Sequence, residues 1–361
     1  MSVAPATTAQ NTNNIRKIAV LGAGSWGTAF AKITADTARE KNSGIQTILW
    51  GRNPERMEQC RATRMNTAYF PQLVLPENLE YTSNILEALA GADIIVLAIP
   101  AQSLREQFKN FITHIPPHAI LISLAKGLEQ NTGLRMSEVI VQVLEEAGDP
   151  HAIERVAVLS GPNLAREIVA EQPTASVIAA HHETTAALLA ELCNCSYFRP
   201  YTGTDIIGVE IGGIVKNIIA LCVGICEGKD YGDNSKASVM TRGLAETTRL
   251  AVALGADPQT LSGLAGMGDL IATCSSSLSR NHTAGRLLAE GVRPEQLNEV
   301  MTQTAESIKS AAAVVELAHQ HHVEMPICEA VVAVLNGTLT VETLAPRLLG
   351  RTLKHENHTQ R

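Results

Sequence analysis

A glycine-rich turn near the start of the chain is the feature that most constrains the fold. Gly22, Gly24 and Gly27 form a GxGxxG pattern directly after the apolar run 18–21 and at the start of the helical stretch 25–39. In such a pattern the first glycine permits a tight turn, the second lets backbone N–H groups approach a pyrophosphate, and the third lets the helix pack closely on the strand. The helix N-terminus adds partial positive charge. The pattern therefore predicts a Rossmann-type βαβ unit that binds a dinucleotide.

The end of the second strand, near residue 50, bears on the type of dinucleotide. A carboxylate usually stands there and accepts a hydrogen bond from the ribose 2′-hydroxyl of NAD, but this chain has Arg52 after Trp50 and Gly51. An arginine at this point can pair with the 2′-phosphate of NADP, and a solvated surface arginine is the alternative. We therefore expect NADPH/NADP+ to be accepted, together with NADH/NAD+.

The N-terminal half contains further runs that are typical of a parallel sheet. Its strand candidates are fully apolar, as expected for strands buried on both faces. They lie at 47–50, 94–99, 120–124 and 156–159. Two more candidates, 176–180 and 197–201, flank the helical stretch 183–193 and extend the sheet, whereas the region between 50 and 84 is rich in loops. This alternation indicates a doubly wound sheet with helices on both faces.

Strand patterns end near residue 201, and helical patterns follow. Helical stretches separated by glycines lie at 205–227, 235–254, 281–290, 295–301, 305–322, 327–336 and 341–349. Because domains typically contain about 100–150 residues, a chain of 361 residues suggests two of them. The expected fold class is an α/β Rossmann-type doubly wound sheet followed by an all-α domain. We predict a tail at 1–14, a NAD(P)-binding Rossmann domain at 15–201, an all-helical substrate and catalytic domain at 202–353, and a polar tail at 354–361.

Charge and composition exclude several classes of protein. The net charge is −7 and no run of Lys or Arg occurs, so a nucleic-acid interface is not expected. No uninterrupted apolar run approaches about 18 residues, and residues 1–14 lack the basic and apolar regions of a secretory signal. The seven cysteines are an odd number without CxxC spacing, which favours a reducing compartment and argues against a metal site. These features predict a cytoplasmic protein with no membrane span.

Two lysines are candidate site residues. Lys126 follows the strand 120–124 at the carboxyl edge of the sheet, where ligands of open α/β sheets bind, and a salt-bridged lysine at the rim is the alternative. Lys216 lies in a predicted helix whose interior glycines, Gly212 and Gly213, each cost about 1 kcal/mol relative to alanine, so another element should approach that face closely. Burial lowers the pKa of a lysine and suits Lys216 to proton transfer. The alternative is glycines that serve only helix packing, with a lysine that snorkels.

Two turns supply further candidates. The turn at 160–165, after the strand 156–159, can place backbone donors beside a nicotinamide. The glycine-rich stretch 263–268 lies too far from any strand to be a second dinucleotide motif. We predict that it is a loop that lets Asp269 approach the site.

The start of a C-terminal helix carries a set of polar residues that suits a phosphate. Ser279, Arg280 and Asn281 offer a hydroxyl, a guanidinium and an amide at a helix N-terminus. The alternative is an ordinary N-cap beside a surface arginine. Glu306 lies early in the next long helix, where its negative charge could serve only to stabilise the helix N-terminus.

Seven segments of the chain, in order and over about 15–353, resemble prokaryotic NAD(P)-dependent glycerol-3-phosphate dehydrogenases. They are GAGSWGTA (22–29), LAKGLE (124–129), SGPNLAREI (160–168), GGIVKNIIAL (212–221), NSKASVMTRGLAE (234–246), GLAGMGDLIATC (263–274) and SLSRNHTAGRLLAEG (277–291). The resemblance implies reversible hydride transfer that reduces dihydroxyacetone phosphate to sn-glycerol 3-phosphate, a precursor of glycerophospholipids. It also implies a homodimer.

The resemblance further implies roles for individual residues. Lys216 is expected to exchange the proton of the C2 hydroxyl, with Asp269 close by. The implied substrate-binding positions are Lys126, Gly161, Asn163, Lys216, Asp269, Ser279, Arg280 and Asn281. The cofactor positions include the glycines of the first turn, Gly22, Gly24 and Gly27. The resemblance adds Ser25, Trp26, Arg52, Lys126, Ala165, Arg280 and Glu306. No metal is implied.

The sequence departs from the family pattern at few positions. Asn163 stands where the family usually has Ser or Thr, and Thr304 and Ser307 flank Glu306 where Val and Gly are expected. Asn163 therefore has a different donor geometry toward a substrate.

Two rival functions remain open at this point. One is another Rossmann dehydrogenase of the β-hydroxyacid or ketopantoate type, which has no need for the phosphate-binding pair Arg280 and Asn281. The other is a non-catalytic dinucleotide sensor, which has no need for Lys216 on a glycine-notched helix or for Asp269.

Overall fold

The computed structural model describes residues 15–301, 306–353 and 355. In this part of the chain the N-terminal half forms one eight-stranded sheet. Its strands are β1 (Lys17–Leu21), β2 (Gln46–Trp50), β3 (Leu79–Thr82), β4 (Ile94–Leu97), β5 (Ile120–Ser123), β6 (Val156–Ser160), β7 (Thr174–Ala180) and β8 (Phe198–Gly203). The order across the sheet is β3-β2-β1-β4-β5-β6-β7-β8, and neighbouring strands are parallel except for the antiparallel pair β6 and β7. The strand order reverses between β1 and β4, which is where open α/β sheets bind ligands.

Helices cover both faces of this sheet. They are α1 (Ser25–Glu40), α2 (Pro54–Thr63), α3 (Ile85–Leu89), α4 (Ala101–Phe111), α5 (Met136–Glu146), α6 (Ala165–Val169) and α7 (Glu183–Cys193). One apolar core joins alternate side chains of the strands to α1 and α7, and a second core joins the opposite side chains to α4 and α5. Strands buried on both faces account for the fully apolar runs in the sequence, so the predicted doubly wound sheet is confirmed.

The C-terminal half is helical throughout its described residues. Its helices are α8 (Ile206–Gly228), α9 (Asp233–Ala253), α10 (Pro258–Ser262), α11 (Asp269–Ser275), α12 (Arg280–Ala289), α13 (Leu297–Val300), α14 (Glu306–Gln320), α15 (Pro326–Leu335) and α16 (Val341–Leu349). Apolar side chains from most of these helices pack around α8 in a separate core. The helical second half predicted from the sequence is therefore present.

Helix α8 is the central helix of that half. Within the described residues it alone is long and apolar enough to cross a membrane, but 89% of its most apolar segment is buried inside the protein. The charged residues Glu210 and Lys216 interrupt its apolar run in the sequence. Burial among other helices explains its composition, since a helix that is apolar on all sides has to be covered.

The prediction that the region between residues 50 and 84 is rich in loops was wrong in two places. Helix α2 begins there after Asn53, whose side chain accepts a hydrogen bond from the N–H of Arg56 at 2.8 Å, with Pro54 at the first helical position. Strand β3 lies at the edge of the sheet, is four residues long and exposes Glu80. The helix has few apolar residues and the strand is short, so hydrophobic periodicity gave little signal for either.

The prediction of a loop at 263–268 was also wrong. Residues Leu264–Gly268 form a π-helical turn that runs directly into α11. Its glycines serve close packing, because a side chain at Gly266 would overlap the backbone of Leu261. Asp269 is consequently held on a helix.

The boundaries of the predicted domains fall close to changes in the structure. Strand β8 ends at Gly203 and α8 begins at Ile206, shortly after the predicted boundary between residues 201 and 202. That boundary stays a prediction. The predicted tails at 1–14 and 354–361 lie outside the described residues, apart from residue 355.

Candidate active site

The three glycines of the first turn have different surroundings. Gly22 has a φ of +126°, which favours glycine, and a side chain there would overlap the carbonyl group of Ala98. A side chain at Gly27 would overlap the carbonyl oxygen of Gly22, whereas a side chain at Gly24 would meet no heavy atom within 4 Å. Gly22 and Gly27 are therefore required by the packing of the turn. Gly24 leaves open space in front of the helix.

That space lies at the N-terminus of α1. Gly24 is the N-cap, no side chain caps the helix, and its first turn contains no acidic residue, so backbone N–H groups and the helix dipole remain available for an anion. Ser25 and Trp26 form the start of this turn, and the buried indole Nε1 of Trp26 has no hydrogen-bond partner among the described residues. These groups fit the pyrophosphate end of a dinucleotide.

Arg52 lies just past the end of β2, which is the strand that pairs with β1. It is exposed and forms no hydrogen bond or ion pair within the described residues. Asn53 beside it caps α2, and no carboxylate directly follows β2. A positive charge therefore stands where NAD-specific folds carry an acid.

A chain of buried ions forms the centre of the site. The Nζ atom of Lys216 on α8 donates a hydrogen bond to Oδ1 of Asp269 and another to Oγ1 of Thr273, at 2.7 Å. The other carboxylate oxygen of Asp269 accepts from Nζ of Lys126 at 2.7 Å, and that ammonium also donates to the carbonyl oxygen of Gly161 at 3.0 Å. The side chain of Asp269 is 1% exposed. The carboxylate is thus shared between two lysines from the two halves of the chain.

The environment of Lys216 adjusts its proton affinity. Burial and, to a smaller extent, the nearby charge of Lys126 lower the pKa of Lys216 to about 8, against the opposing effect of Asp269. An amine with this pKa exists in both protonation states near neutral pH. It is therefore suited to give or take a proton.

The glycine pair in α8 explains how the helix reaches this position. A side chain at Gly212 would come within 2.5 Å of the carbonyl oxygen of Ala265 in the π-helical turn. A side chain at Gly213 would overlap the hydroxyl of Ser160 at the end of β6 and contact the stem of Lys126. The close approach predicted from these glycines is confirmed, and it brings α8 against both the sheet edge and the segment that carries Asp269.

The start of α12 lies beside α8. Ser279 caps α12, with its Oγ accepting from the N–H of His282 at 3.3 Å. Asn281 is buried and donates from Nδ2 to Oδ1 of Asn217 at 2.8 Å. Arg280 is exposed on the first turn. A hydroxyl, an amide and a guanidinium at a helix N-terminus suit an anionic ligand such as a phosphate group.

The turn after β6 carries further polar groups. Gly161 has a φ of +144°, and a side chain there would crowd Ser176. Asn163 accepts a hydrogen bond from the hydroxyl of Ser176, which leaves its buried Nδ2 without a partner among the described residues. The buried hydroxyl of Ser160 likewise has none. Unpaired buried donors are costly, so these two groups mark the turn after β6 as a place where a further acceptor would be stabilising.

The predicted residues fall into two groups along the carboxyl edge of the sheet. The dinucleotide turn and Arg52 lie at β1 and β2, whereas Lys126 and Gly161 lie at β5 and β6, where α8 approaches the sheet and Asp269 of α11 contacts Lys126. Ala165 begins α6 after the β6 turn. Glu306 begins α14, but its side chain and Thr304 and Ser307 beside it lie outside the described side chains, so its cofactor role stays a prediction.

Sequence reasoning missed three polar residues that the structure brings into the site or next to it. Thr273 contacts Lys216 and follows Asp269 by four residues, a spacing that places both on one helix face. The hydroxyl of Ser160 was not singled out, although it begins the predicted β6 turn. Glu210 has no sequence signal beyond its charge within an apolar helix.

These features define a class of protein. A Rossmann-type sheet with a dinucleotide-binding turn, followed by a helical half that supplies a buried and paired lysine, is the arrangement of a two-domain nicotinamide dinucleotide-dependent dehydrogenase. The family model for the NAD-dependent glycerol-3-phosphate dehydrogenase N-terminus matches residues 17–186, and the model for the C-terminus matches residues 205–346. The chain therefore belongs to the NAD-dependent glycerol-3-phosphate dehydrogenase family, as its sequence predicted.

Individual relatives resemble the chain over nearly its whole length. The glycerol-3-phosphate dehydrogenase [NAD(P)+] of Thermobifida fusca is 51% identical over 343 residues, which cover 95% of this chain and 99% of that protein. The protein of the same name from Streptomyces coelicolor is 49% identical over 340 residues, which cover 94% of this chain and 98% of that protein. The crystal structure of glycerol-3-phosphate dehydrogenase from Coxiella burnetii has a TM-score of 0.85 and 34% identity, and covers 93% of this chain and 99% of that one.

Proposed function

We propose that this protein catalyses the reversible reduction of dihydroxyacetone phosphate to sn-glycerol 3-phosphate with NADPH or NADH. The observation that carries the proposal is the buried pair of Lys216 and Asp269, joined to Lys126 at the carboxyl edge of a dinucleotide-binding sheet. Relatives about half identical to the chain over their full length carry the name glycerol-3-phosphate dehydrogenase [NAD(P)+]. The product is a precursor of glycerophospholipids.

Lys216 is the proposed acid and base of the reaction. Bound NADPH or NADH supplies a hydride to C2 of the substrate. The Lys216 ammonium donates a proton to the oxygen on C2 during reduction, and the neutral amine takes that proton back during oxidation. Asp269 and Thr273 hold the ammonium in one orientation through their hydrogen bonds. A pKa of Lys216 of about 8 makes both directions accessible near neutral pH.

The substrate is held by groups on both sides of Lys216. Ser279, Arg280 and Asn281 at the start of α12 bind its phosphate. On the sheet side, Lys126, Gly161 and Asn163 bind the oxygen atoms near C2; the buried Nδ2 of Asn163 has no partner among the described residues, which supports a role as donor. Asp269 lies between these groups and fixes both lysines, so it contributes to substrate binding through their positions.

The cofactor is held along the edge formed by β1, β2 and β6. The turn of Gly22, Gly24 and Gly27, with Ser25 and Trp26, binds the pyrophosphate, where the open space at Gly24 and the free helix N-terminus support this role. Arg52 binds the 2′-phosphate of NADP. The remaining proposed cofactor contacts are Lys126, Ala165, Arg280 and Glu306.

The rival functions are not favoured. A dehydrogenase of the β-hydroxyacid or ketopantoate type disagrees with the full-length identity to glycerol-3-phosphate dehydrogenases. A dinucleotide sensor gains nothing from a costly buried cation held beside an equally buried carboxylate. The proposed setting is the cytoplasm, because the seven cysteines, all within the described residues, are free thiols. A homodimer is proposed from the family resemblance and is tested by light scattering after size-exclusion chromatography.

The test is oxidation of NADPH and of NADH with dihydroxyacetone phosphate by the wild type and by K216M. Methionine keeps much of the stem and leaves Asp269 paired with Lys126, so the fold should survive. We expect wild-type turnover and a loss of kcat of about 10³-fold in K216M, within the range of acid–base groups. K229M is the matched control, because Lys229 lies at the end of the same helix in an exposed pair with Glu342.

Three outcomes separate the possibilities. An inactive wild type that still binds dinucleotide would exclude the proposed substrate and favour a sensor. An active K216M would keep the substrate but assign the proton transfer to another group. Similar losses in K216M and K229M would indicate a general effect on α8.

A further inference from the structure

The bond between Lys126 and Asp269 joins the two halves of the chain, and a second polar contact between the halves involves Glu210. Glu210 lies in α8, and its side chain is 4% exposed. Its carboxylate accepts hydrogen bonds from Nη1 of Arg135 at 2.7 Å, from the N–H of Ser137 at 2.9 Å and from the hydroxyl of Ser137 at 2.6 Å. Burial raises the pKa of Glu210, and its bonds to Arg135 and Ser137 oppose that rise. A carboxylate this deeply buried requires such partners, so the contact fixes the relative position of α8 and the start of α5.

Arg135 is connected through the backbone to the segment that begins at Lys126. An antiparallel bridge between Leu128 and Arg135 closes this segment, and the N–H of Glu129 donates to the carbonyl oxygen of Leu134 at 3.0 Å. The segment is also held to α4, because Gln102 donates to the carbonyl oxygen of Leu128 at 2.7 Å. The 126–135 segment is therefore a small closed unit, with Lys126 at one end and Arg135 at the other.

On the helical side, Glu210 shares a face with the residues that approach this unit. Glu210, Gly213 and Asn217 have i, i+3, i+7 spacing, so they form one stripe along α8. Gly213 in that stripe lies against Ser160 and the stem of Lys126. Lys216 follows Glu210 by six residues, about 9 Å along the helix axis. Because Glu210 and Lys216 belong to the same helix, a shift of α8 at Glu210 should also move Lys216.

We propose that Glu210 and Arg135 are positioning residues that keep Lys126 and Lys216 on the two oxygens of Asp269. This inference rests on the proposed function, in which that ion chain carries the proton transfer. The pair of Glu210 and Arg135 holds one end of the 126–135 segment, and the bond from Lys126 to Asp269 holds the other end. Without the contact, we expect Lys126 to separate from Asp269 more often while it keeps its bond to Gly161 of the sheet half, whereas Lys216 and Asp269 remain together within the helical half.

The pH dependence of activity distinguishes positioning from simple stabilisation. The charged or titratable groups that act on Lys216 are Asp269 and Cys274 on α11, which raise its pKa, and Lys126 of the sheet half, which lowers it. If Lys126 leaves, the lowering effect is lost and Asp269 interacts with Lys216 alone. The pH at which reduction falls should then move upward. A loss of stability alone does not move it.

The experiment compares R135M/E210L with the wild type. Replacing both partners of a buried ion pair by apolar residues of similar size often preserves stability, whereas removing one partner leaves a buried charge unpaired. The matched control is D149N, which weakens the Asp149–Arg155 pair of the sheet half, whose side chains are 16% and 13% exposed. Thermal unfolding, NADPH affinity, kcat/KM for dihydroxyacetone phosphate and the pH profile of kcat are measured for all three.

We expect R135M/E210L to lose some thermal stability, because the N–H and hydroxyl of Ser137 lose their acceptor, but to fold and to bind NADPH normally. Its kcat/KM should fall about tenfold to hundredfold, as small misplacements of reacting groups do, and its alkaline limit should move to higher pH. D149N should keep the wild-type profile whatever its stability. If the double variant is folded and has the wild-type kcat/KM and profile, the contact is structural only and the inference is wrong.

A milder variant covers the case in which the double variant does not fold. E210Q keeps an acceptor for Ser137 but loses the negative charge that faces Arg135. It should show the same upward movement of the pH limit, and a wild-type limit in a folded E210Q would equally overturn the inference. An inactive wild type would instead contradict the proposed function, so the two failures are distinguishable.

Discussion

Replacing Gly24 with alanine should weaken dinucleotide binding and leave the fold intact. A side chain there meets no heavy atom within 4 Å, and the backbone φ of −81° suits any residue. Alanine is a poorer N-cap than glycine by roughly 0.5–1 kcal/mol, but restricting the unfolded chain returns about 0.4–1 kcal/mol. These contributions nearly cancel. The free energy of unfolding should therefore change by less than about 1 kcal/mol.

The effect of G24A on binding should be much larger. The added methyl group occupies the space through which a pyrophosphate reaches the N–H groups of α1. Losing one charge-assisted hydrogen bond costs about 1.5–3 kcal/mol, and every 1.4 kcal/mol, roughly, is tenfold in Kd. We therefore expect the Kd of NADPH to rise by at least about tenfold, measured by fluorescence titration beside thermal unfolding without ligand.

The variant G27A is measured beside G24A as the comparison. Its side chain would overlap the carbonyl oxygen of Gly22, so this variant should lose about 1–3 kcal/mol of stability, as overpacked sites do. NADPH affinity and stability should then both fall in G27A, whereas only NADPH affinity should fall in G24A. Wild-type NADPH affinity in G24A, or unfolding of G24A as severe as that of G27A, would refute the assignment of the open space to the cofactor.

Three further predictions concern the site. Because reduction needs the Lys216 ammonium and oxidation needs the amine, reduction should slow and oxidation should accelerate as the pH rises through about 8; parallel profiles in the two directions would contradict this. R52A should raise the KM of NADPH by about tenfold and leave that of NADH unchanged, since one charge-assisted contact is lost; equal losses would argue against 2′-phosphate binding. T273V removes an acceptor at 2.7 Å from the ammonium, so the pH limit of reduction should move downward, and an unchanged limit would show that Thr273 has no influence on the proton.

Much of the fold could be predicted from the sequence because burial and periodicity coincide. The central strands β1, β4, β5 and β6 are buried on both faces, so each is a continuous apolar run. The failures occurred where that relation breaks down. Strand β3 has an edge position and an exposed Glu80, and the turn before Asp269 has glycines that serve packing although glycines more often indicate a loop.

The candidate site was predictable residue by residue but not as an arrangement. Burial of Lys216 followed from its apolar neighbours, and the close approach followed from the glycines beside it. The bonds around it did not, because Asp269 is 53 positions from Lys216 and 143 positions from Lys126, and no periodicity links them. The family resemblance supplied roles for both residues. It did not supply the contact of Glu210 with Arg135, which depends on how two segments 75 positions apart meet.

The net charge of Lys126, Asp269 and Lys216 together bears on the chemistry of the site. Two lysines share one carboxylate, so the buried cluster carries one net positive charge, and a buried charge of this kind is costly without a further partner. The unpaired donors of Ser160 and Asn163 lie at the adjoining turn after β6 and add a second requirement for acceptors. In the proposed function the oxygen on C2 of the substrate accepts hydrogen bonds from the lysines and from the turn after β6, whereas the phosphate lies at the start of α12. A phosphate ester would therefore have partners at both of its ends, whereas an alcohol or ketone without the phosphate would leave the start of α12 without a ligand.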